Sequence, residues 1–252
     1  MSENFYIIVP FFNEEKWLPL LLNSLKNQID SNFKVILVDN NSTDHSCEVI
    51  SHFINETKIN NLEVIKEIEK GTGAALSTGF KYAIKCGATL LARTDADCAL
   101  ERNWVKKVKK YFNKGYLFIG GIQFPLKDNF YKWHDNIYGK YVPYFDELGA
   151  TISLGLRYRD PKNKYFYKHI VGTNMAITKD LYLKTGGFPR TKIEDVHEDF
   201  YLSEKVRKIS TKVKKSWNLK TYVSLRRLRT YGRYKTQEYY LRKYKPEIID
   251  IR

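Results

Sequence analysis

The first half of the chain alternates short, almost wholly apolar strands with amphipathic helices, and this alternation constrains the fold more than any other feature. The predicted strands are FYIIVP, FKVILVD, NLEVIKEI and ATLLART. The helix after the first strand carries Leu18, Leu21, Leu22 and Leu25 on one face. Continuous apolar strands separated by helices are typical of a parallel sheet covered on both faces. We therefore expect an α/β fold with a mostly parallel central sheet and helices on both faces.

The second half continues this pattern more weakly. YLFIGGIQF (116–124) predicts a fifth strand, and residues 169–188 predict a glycine turn, the strand MAIT and a short helix. The stretch after His197 predicts a further helix. Between them, FYKWHDNIYGKYVPYFDEL is expected to be helical and RYRDPKNKYFYK to be a loop. This Tyr-rich region is expected to shape a second pocket.

Polar or glycine-rich residues follow each of the first four strands. The four strand ends are residues 10–14, 39–44, 70–73 and 95–97. They should share one edge of the sheet, where parallel α/β proteins bind ligands. Asp39 is expected to accept a hydrogen bond from a base or ribose, and Lys70 with its neighbouring glycines to lie near a phosphate. A nucleotide site explains all four ends together.

Two aspartates one residue apart, Asp95 and Asp97, end the fourth strand in the sequence TDADC. Paired carboxylates at a strand tip are typical ligands of Mg2+ or Mn2+ that also contacts substrate phosphates. The pair could instead cap the strand and begin a helix, because Asp is common at both places. The other polar strand ends favour the metal, which would offset the repulsion between the carboxylates and assist a leaving diphosphate.

Six blocks, taken in order, resemble the family 2 glycosyltransferases of the GT-A fold. They are VPFFNE (9–14), VDNNSTD (38–44), KGTGAALSTGF (70–80), TDADC (94–98), GTNMAITKDLYLKTGGF (172–188) and HEDFYLSEKV (197–206). The resemblance implies a GT-A domain over 1–210, with a nucleotide-sugar-binding half, 1–124, and an acceptor-binding half, 125–210. A basic, aromatic-rich extension, 211–252, would follow.

The resemblance also implies a donor site for a nucleotide sugar, with a UDP-linked donor favoured. Pro10 and Phe12 would lie against the base, Glu14 near the ribose, and Asp39 would read the base. The complete implied set is Pro10, Phe12, Glu14, Asp39, Lys70, Gly73, Asp95, Ala96 and Asp97.

Metal binding and catalysis are assigned by the same resemblance. Asp97, with Asp95 as the second candidate ligand, would hold Mn2+ or Mg2+ at the diphosphate. Asp199 matches the general base of an inverting reaction on an acceptor hydroxyl, and Glu198 would position a sugar. Without the other blocks, Glu198 and Asp199 would be explained by a helix N-terminus, where the helix dipole favours acidic residues.

One block departs from the family pattern. Relatives often read ARNxG where this chain has ALSTG (75–79), so an Arg or Asn contact to the donor is missing. Lys70 or Arg93 is expected to compensate. Arg226 and Arg227, in a basic stretch near the end of the chain, are candidates to face the diphosphate.

The net charge of +15 is concentrated near the C-terminus. From residue 205 to 252 there are 16 Lys and Arg against 3 Asp and Glu. Such a segment suits anionic lipid headgroups or a phosphate-bearing, lipid-linked acceptor. A solvated helical surface would explain the same charge. Because aromatic residues interleave these charges, a non-enzymatic protein that binds nucleic acid or an anionic surface is an alternative function. It leaves the acidic strand ends unexplained, since they would repel a phosphate backbone, so no nucleic acid is expected as a partner.

The remaining alternative keeps the fold and changes the reaction. A sugar nucleotidyltransferase also uses a parallel sheet and metal-binding carboxylates, but usually has a glycine-rich basic loop where this chain has VPFFNEE. The unpaired cysteines and the lack of a signal or membrane-spanning pattern predict a cytoplasmic location, peripheral to the membrane if the basic segment binds it. His134, His169 and His197 lack metal-ligand spacing and are expected to be structural.

Overall fold

The computed structural model describes residues 4–126, 170–190, 197–226 and 230–231. The strands are β1 (Phe5–Phe11), β2 (Lys34–Asp39), β3 (Leu62–Lys66), β4 (Leu90–Arg93), β5 (Cys98–Leu100), β6 (Phe118–Pro125), β7 (Met175–Thr178) and β8 (Val213–Val223). The helices are α1 (Leu18–Lys26), α2 (Ser46–Thr57), α3 (Thr72–Lys85), α4 (Trp104–Asn113), α5 (Lys179–Lys184) and α6 (Glu198–Ile209).

The strands form a single mixed sheet in the order β3-β2-β1-β4-β7-β6-β8-β5. The pairings among β3, β2, β1 and β4 are parallel, and β7 is antiparallel to both β4 and β6. The register places Phe11 opposite Asp39 and Ile8 opposite Arg93. The segments that follow β1, β2, β3 and β4 therefore leave one edge of the sheet, as expected from the sequence.

Helices cover both faces of the sheet, as predicted. The apolar sides of α1, α2 and α4 form one layer of the core, around Trp104 and Leu22. Those of α3, α5 and α6 form the other layer, around Phe80 and Leu202. Both layers rest on strands whose residues point alternately to the two faces. The sheet is thereby buried along most of β1, β2 and β4.

Two strands were not expected from the sequence. The three-residue β5 follows the DAD turn directly, so YLFIGGIQF forms the sixth strand rather than the fifth. The Lys-rich residues 213–223 form β8, which pairs with both β6 and β5. The predictions for residues 127–169, including the helix, the loop and the second pocket, lie outside the described residues.

Candidate active site

The tips of β1 and β2 bring the residues assigned to the nucleotide base close to Lys70, which was assigned to a phosphate. Phe12 follows β1, and the ammonium of Lys70 lies 5.6 Å from the centre of its ring. Asp39 is buried at the end of β2, where one carboxylate oxygen accepts a hydrogen bond from the backbone N–H of Ser42 at 2.8 Å. Pro10 lies beside Val38 in the parallel ladder. An aromatic ring, a lysine and a fixed carboxylate thus border one part of the edge.

Asn40, which the sequence analysis did not single out, fixes the loop that carries Lys70. Its amide nitrogen donates to the carbonyl oxygens of Glu67 and Glu69 at 3.0 and 2.7 Å. Its oxygen accepts from the N–H of Gly71 at 2.8 Å. Gly71 has φ 144°, a conformation that favours glycine. Gly71, the first glycine of the KGTG motif, therefore allows the tight turn before α3. Gly73, the second, is buried in the first turn of that helix.

Arg93, at the end of β4, joins the DAD turn to the start of α6. It is 3% exposed; its Nε lies 3.0 Å from Asp95 Oδ1, and its Nη1 lies 2.8 Å from Glu198 Oε1. These ion pairs place the two predicted acidic motifs, separated by about a hundred residues in sequence, on either side of one guanidinium. Ala96, between the aspartates, is buried in the core and holds the turn against the sheet.

Gly172 allows this arrangement because it lies directly against the guanidinium. A Cβ atom at this position would be 2.6 Å from Arg93 Cζ, so any other residue would force the guanidinium to move from its ion pairs. The N–H of Gly172 donates to Asp199 Oδ2 at 3.1 Å, while Asp199 Oδ1 accepts from the N–H of Phe200 at 2.8 Å. The glycine of the GTN block therefore orients the carboxylate assigned as general base.

Asp97 forms a hydrogen bond and an ion pair with residues of the segment that follows β8. Its Oδ2 accepts a hydrogen bond from the hydroxyl of Ser224 at 2.6 Å and lies 3.2 Å from Nε of Arg226. Both terminal nitrogens of the same guanidinium donate to the carboxylate of Glu14, at 2.8 and 2.5 Å. Arg226 thus bridges the carboxylate assigned to the ribose and the one assigned to the metal. Ser224 carries no sequence signal that could have identified it.

Burial dominates the electrostatics of this carboxylate cluster. It raises the pKa of Asp95 and of Glu198 above their usual values, and the adjacent Arg93 only partly opposes this effect. The same carboxylates raise the pKa of Arg93, which stays charged. Five acidic side chains lie here, Glu14, Asp95, Asp97, Glu198 and Asp199, and placing them so close together in a partly buried site is costly unless cations accompany them. The chain supplies two of these cations, Arg93 and Arg226.

The donor set fits a divalent cation that is shared with a substrate. Within the described ranges, no cluster of three or more His, Cys, Asp or Glu side chains could hold a metal by itself. Mg2+ and Mn2+ are commonly held by one or two carboxylates together with substrate phosphates. Asp97 and Asp95, half-buried at the tip of β4, offer this arrangement.

The structure therefore gathers the predicted residues into two groups. Pro10, Phe12 and Asp39, predicted to contact the base, lie together with Lys70, predicted to contact a phosphate. Glu14, Asp95, Asp97, Glu198 and Asp199 surround Arg93 and Arg226. Ser77, in the block that departs from the family pattern, is buried inside α3. His197 precedes α6 and packs 6.1 Å from the ring of Phe200. His134, His169 and Arg227 lie outside the described residues.

Comparison with known proteins gives two independent findings, of which the first concerns sequence. The family model described as glycosyl transferase family 2 matches residues 6–182. An undecaprenyl-phosphate 4-deoxy-4-formamido-L-arabinose transferase of Pectobacterium carotovorum is 24% identical over 133 residues, 52% of this chain and 40% of that protein. A Pseudomonas syringae protein of the same name is 26% identical over 126 residues, 49% of this chain and 36% of its own length. The matching segment spans about two fifths of these relatives.

The second finding concerns structure. Residues 1–349 of S. aureus TarS in complex with UDP superpose with a TM-score of 0.62 at 18% identity, covering 88% of this chain and 60% of that one. The mannosyltransferase PcManGT from Pyrobaculum calidifontis, in complex with GDP-Man and Mn2+, gives a TM-score of 0.62 at 19% identity, covering 88% and 57%. These similarities confirm the expected GT-A fold.

In the described part of the chain, no helix is both long and apolar enough to cross a bilayer.

Proposed function

Because the chain belongs to glycosyltransferase family 2, we propose that it transfers a sugar from a nucleotide-sugar donor, with UDP as the favoured nucleotide, to a hydroxyl group of a lipid-linked or cell-surface glycan precursor. The observation that carries this proposal is the meeting of Asp95, Asp97, Glu198 and Asp199 around Arg93 and Arg226 at the carboxyl edge of the sheet. TarS has been crystallised with UDP and with UDP-GlcNAc, which supports a uridine donor.

The group formed by Pro10, Phe12, Asp39 and Lys70 supports binding of the nucleotide. Phe12 offers a ring for stacking, and the buried Asp39 offers a carboxylate oxygen to a base N–H. Asp97 and Asp95 would hold Mn2+ or Mg2+, which when bound supplies Lewis-acid stabilisation of the leaving diphosphate. PcManGT and GalNAc-T7 were both crystallised with Mn2+. For Asp97 to take part, Arg226 must turn away from its carboxylate, and the diphosphate offers the guanidinium a new partner.

The acceptor side supports attack by a hydroxyl. Asp199 accepts the acceptor proton as the oxygen attacks the anomeric carbon, and the configuration inverts. The hydrogen bond from Gly172 keeps this carboxylate fixed. Glu198 is buried, and its Oε2 has no hydrogen-bond partner within the described ranges, so a sugar hydroxyl that reached this oxygen would satisfy it. Glu198 would thereby position a sugar next to Asp199.

A phosphate acceptor is the second candidate, favoured by the names of the curated relatives. A phosphate monoester is already ionised at neutral pH, so its oxygen can attack without a general base. In that case Asp199 would orient the acceptor rather than take its proton. The basic C-terminal residues, 211–252, are proposed to contact the acceptor phosphate or an anionic membrane surface.

The test uses a panel of UDP- and GDP-sugars with Mn2+, and turnover is measured with hydroxyl-bearing and phosphate-bearing lipid acceptors. Asp97→Ala should abolish metal-dependent activity, and Asp199→Asn should abolish transfer to a hydroxyl while donor binding is retained. The matched controls are Asp180→Ala and Asp180→Asn, at an exposed position in α5. Full hydroxyl-transfer activity in Asp199→Asn would reject the general-base role. Transfer to a phosphate acceptor alone would select the second candidate.

A further inference from the structure

Two segments that are distant in sequence contain basic residues and no acidic ones. Residues 102–114, which include α4, contain six Lys and Arg, and residues 212–220, within and just before β8, contain four. The exposed surfaces of α2 and α3 differ, since they carry acidic residues or few charges. Ordinary protein surfaces mix both signs of charge, so two segments of a single sign need a common explanation.

The fold places these two segments side by side. The ammonium of Lys107 donates to the carbonyl oxygen of Asn218 at 2.6 Å, and the hydroxyl of Tyr111 lies 2.6 Å from that of Ser216. Lys214 of β8 lies over the ring of Tyr111, 5.9 Å from its centre. These contacts join α4 to the adjacent part of β8, and we call the exposed surface of residues 102–114 and 212–220 around this junction the α4–β8 face.

The charge of the α4–β8 face is only partly neutralised by its surroundings. Lys107 pairs with Glu101 and Lys109 with Asp30, both acidic partners lying outside the two segments. The remaining exposed positions are Arg102, Lys106, Lys110, Lys114 and Lys212. A large apolar side chain, Trp217, is 44% exposed in the same part of β8. The face therefore combines several solvated cations with an indole ring at the surface.

We infer that the α4–β8 face docks on a bilayer that contains anionic lipids. Lysine and arginine side chains near such a surface are attracted to its headgroups, and Trp prefers the boundary between headgroups and acyl chains. Single-stranded nucleic acid fits less well, because its binders offer several open aromatic rings for base stacking. Trp217 is exposed, but the rings of Tyr111 and Tyr116 both lie near the ammonium of Lys214.

The position of the face connects docking to the site. β8 runs from this face to Ser224 and Arg226, which contact Asp97. A bilayer bound along α4 and β8 would therefore lie on the same element that borders the donor site. This inference rests on the membrane contact proposed above for residues 211–252 and assigns it to a defined face. The experiment measures membrane binding without substrate, so its failure would leave the proposed reaction unaffected.

The test is co-sedimentation of the whole chain with vesicles of phosphatidylcholine containing about a third phosphatidylglycerol, compared with phosphatidylcholine alone. The triple variant Lys106→Gln/Lys110→Gln/Lys114→Gln should lower the partition coefficient about 100-fold. The triple variant Lys26→Gln/Lys81→Gln/Lys85→Gln, on α1 and α3, removes the same charge elsewhere and should change it less than threefold. Equal losses in both variants would show an effect of net charge and overturn the inference.

A second measurement tests the orientation of the bound protein. Brominated acyl chains quench tryptophan fluorescence only at close range, so wild-type protein should be quenched on binding and Trp217→Phe should lose most of this quenching. Quenching that is unchanged in Trp217→Phe would contradict docking by this face.

A third measurement compares vesicles with nucleic acid, using fluorescence anisotropy of a labelled oligonucleotide. If the α4 triple variant loses oligonucleotide binding but keeps vesicle binding, the face serves nucleic acid instead.

Discussion

At the scale of single residues, two arginines organise the acidic site, and each does so differently. Arg93 is enclosed by Asp95, Glu198 and the backbone of Gly172, so it belongs to the folded framework. Arg226 follows β8 and bridges Glu14 and Asp97 from outside the sheet. The first arginine should therefore control stability, and the second should control access to the site.

Removing Arg93 should leave buried carboxylates without their cation. We expect Arg93→Met to lower the free energy of unfolding by about 3–5 kcal/mol, because breaking a buried ion pair leaves an uncompensated charge. The double variant Arg93→Met/Glu198→Leu should recover part of this loss, since it removes both charges. Urea denaturation of the four members of this cycle checks the prediction. Strictly additive effects would show that the pair is not coupled.

Arg226 should compete with a divalent cation for Asp97. Because its guanidinium lies 3.2 Å from Oδ2, metal binding has to displace a positive charge. We expect Arg226→Gln to bind Mn2+ alone about tenfold more tightly, a change of about 1.4 kcal/mol. Calorimetric titration with MnCl2 measures this affinity, and Arg207→Gln, on α6, is the control. Unchanged or weaker Mn2+ affinity in Arg226→Gln would contradict the competition.

At the scale of elements, the sequence predicted those that carry a clear apolar pattern. β1, β2 and β4 are nearly continuous apolar runs, and α1 has its leucines at helical spacing, so both patterns were readable. β8 was missed because five of its eleven residues are Lys, Asn or Ser and its stability comes from pairing with β6 and β5. Such tertiary pairing leaves no periodic signal in the strand itself.

Asn174 holds this unpredicted part of the sheet together. It accepts a hydrogen bond from Trp104 Nε1 at 2.9 Å and donates to the carbonyl oxygens of Ile122 and Leu219 at 3.2 and 3.1 Å. We expect Asn174→Leu to lower the free energy of unfolding by roughly 3 kcal/mol, because three buried partners lose their hydrogen bonds.

Chemical denaturation of Asn174→Leu checks this expectation, with Asn218→Leu as the exposed control. Asn218 also belongs to the β8 region, but it lies at the surface and should cost less than 1 kcal/mol. Similar losses in the two variants would show that Asn174 is not a special anchor.

At the scale of the whole molecule, the sequence indicated where the site lies but not how its charges are balanced. The order of the apolar strands was enough to place Asp39, Asp95 and Asp97 on one edge. The ion pairs of Arg93 with Glu198 and of Arg226 with Glu14 join residues more than a hundred positions apart. Neither ion pair could be predicted from the sequence around its residues, because the partners meet only when the whole sheet has formed.

Donor and metal together should stabilise the entire chain, because they bind only the folded edge of the sheet. At a UDP concentration 100 times its dissociation constant, with saturating Mn2+, the gain is about 2.7 kcal/mol. For a chain of this length, this corresponds to a rise in Tm of roughly 5–10 °C.

The metal-dependent part of this rise should depend on Asp97. In Asp97→Ala, the Tm shift with UDP and Mn2+ should fall to the shift seen with UDP alone, whereas Asp180→Ala should behave as the wild type. Scanning calorimetry with and without EDTA measures both quantities. An Asp97→Ala protein that keeps the full Mn2+-dependent shift would place the cation elsewhere and remove this carboxylate from the proposed metal site.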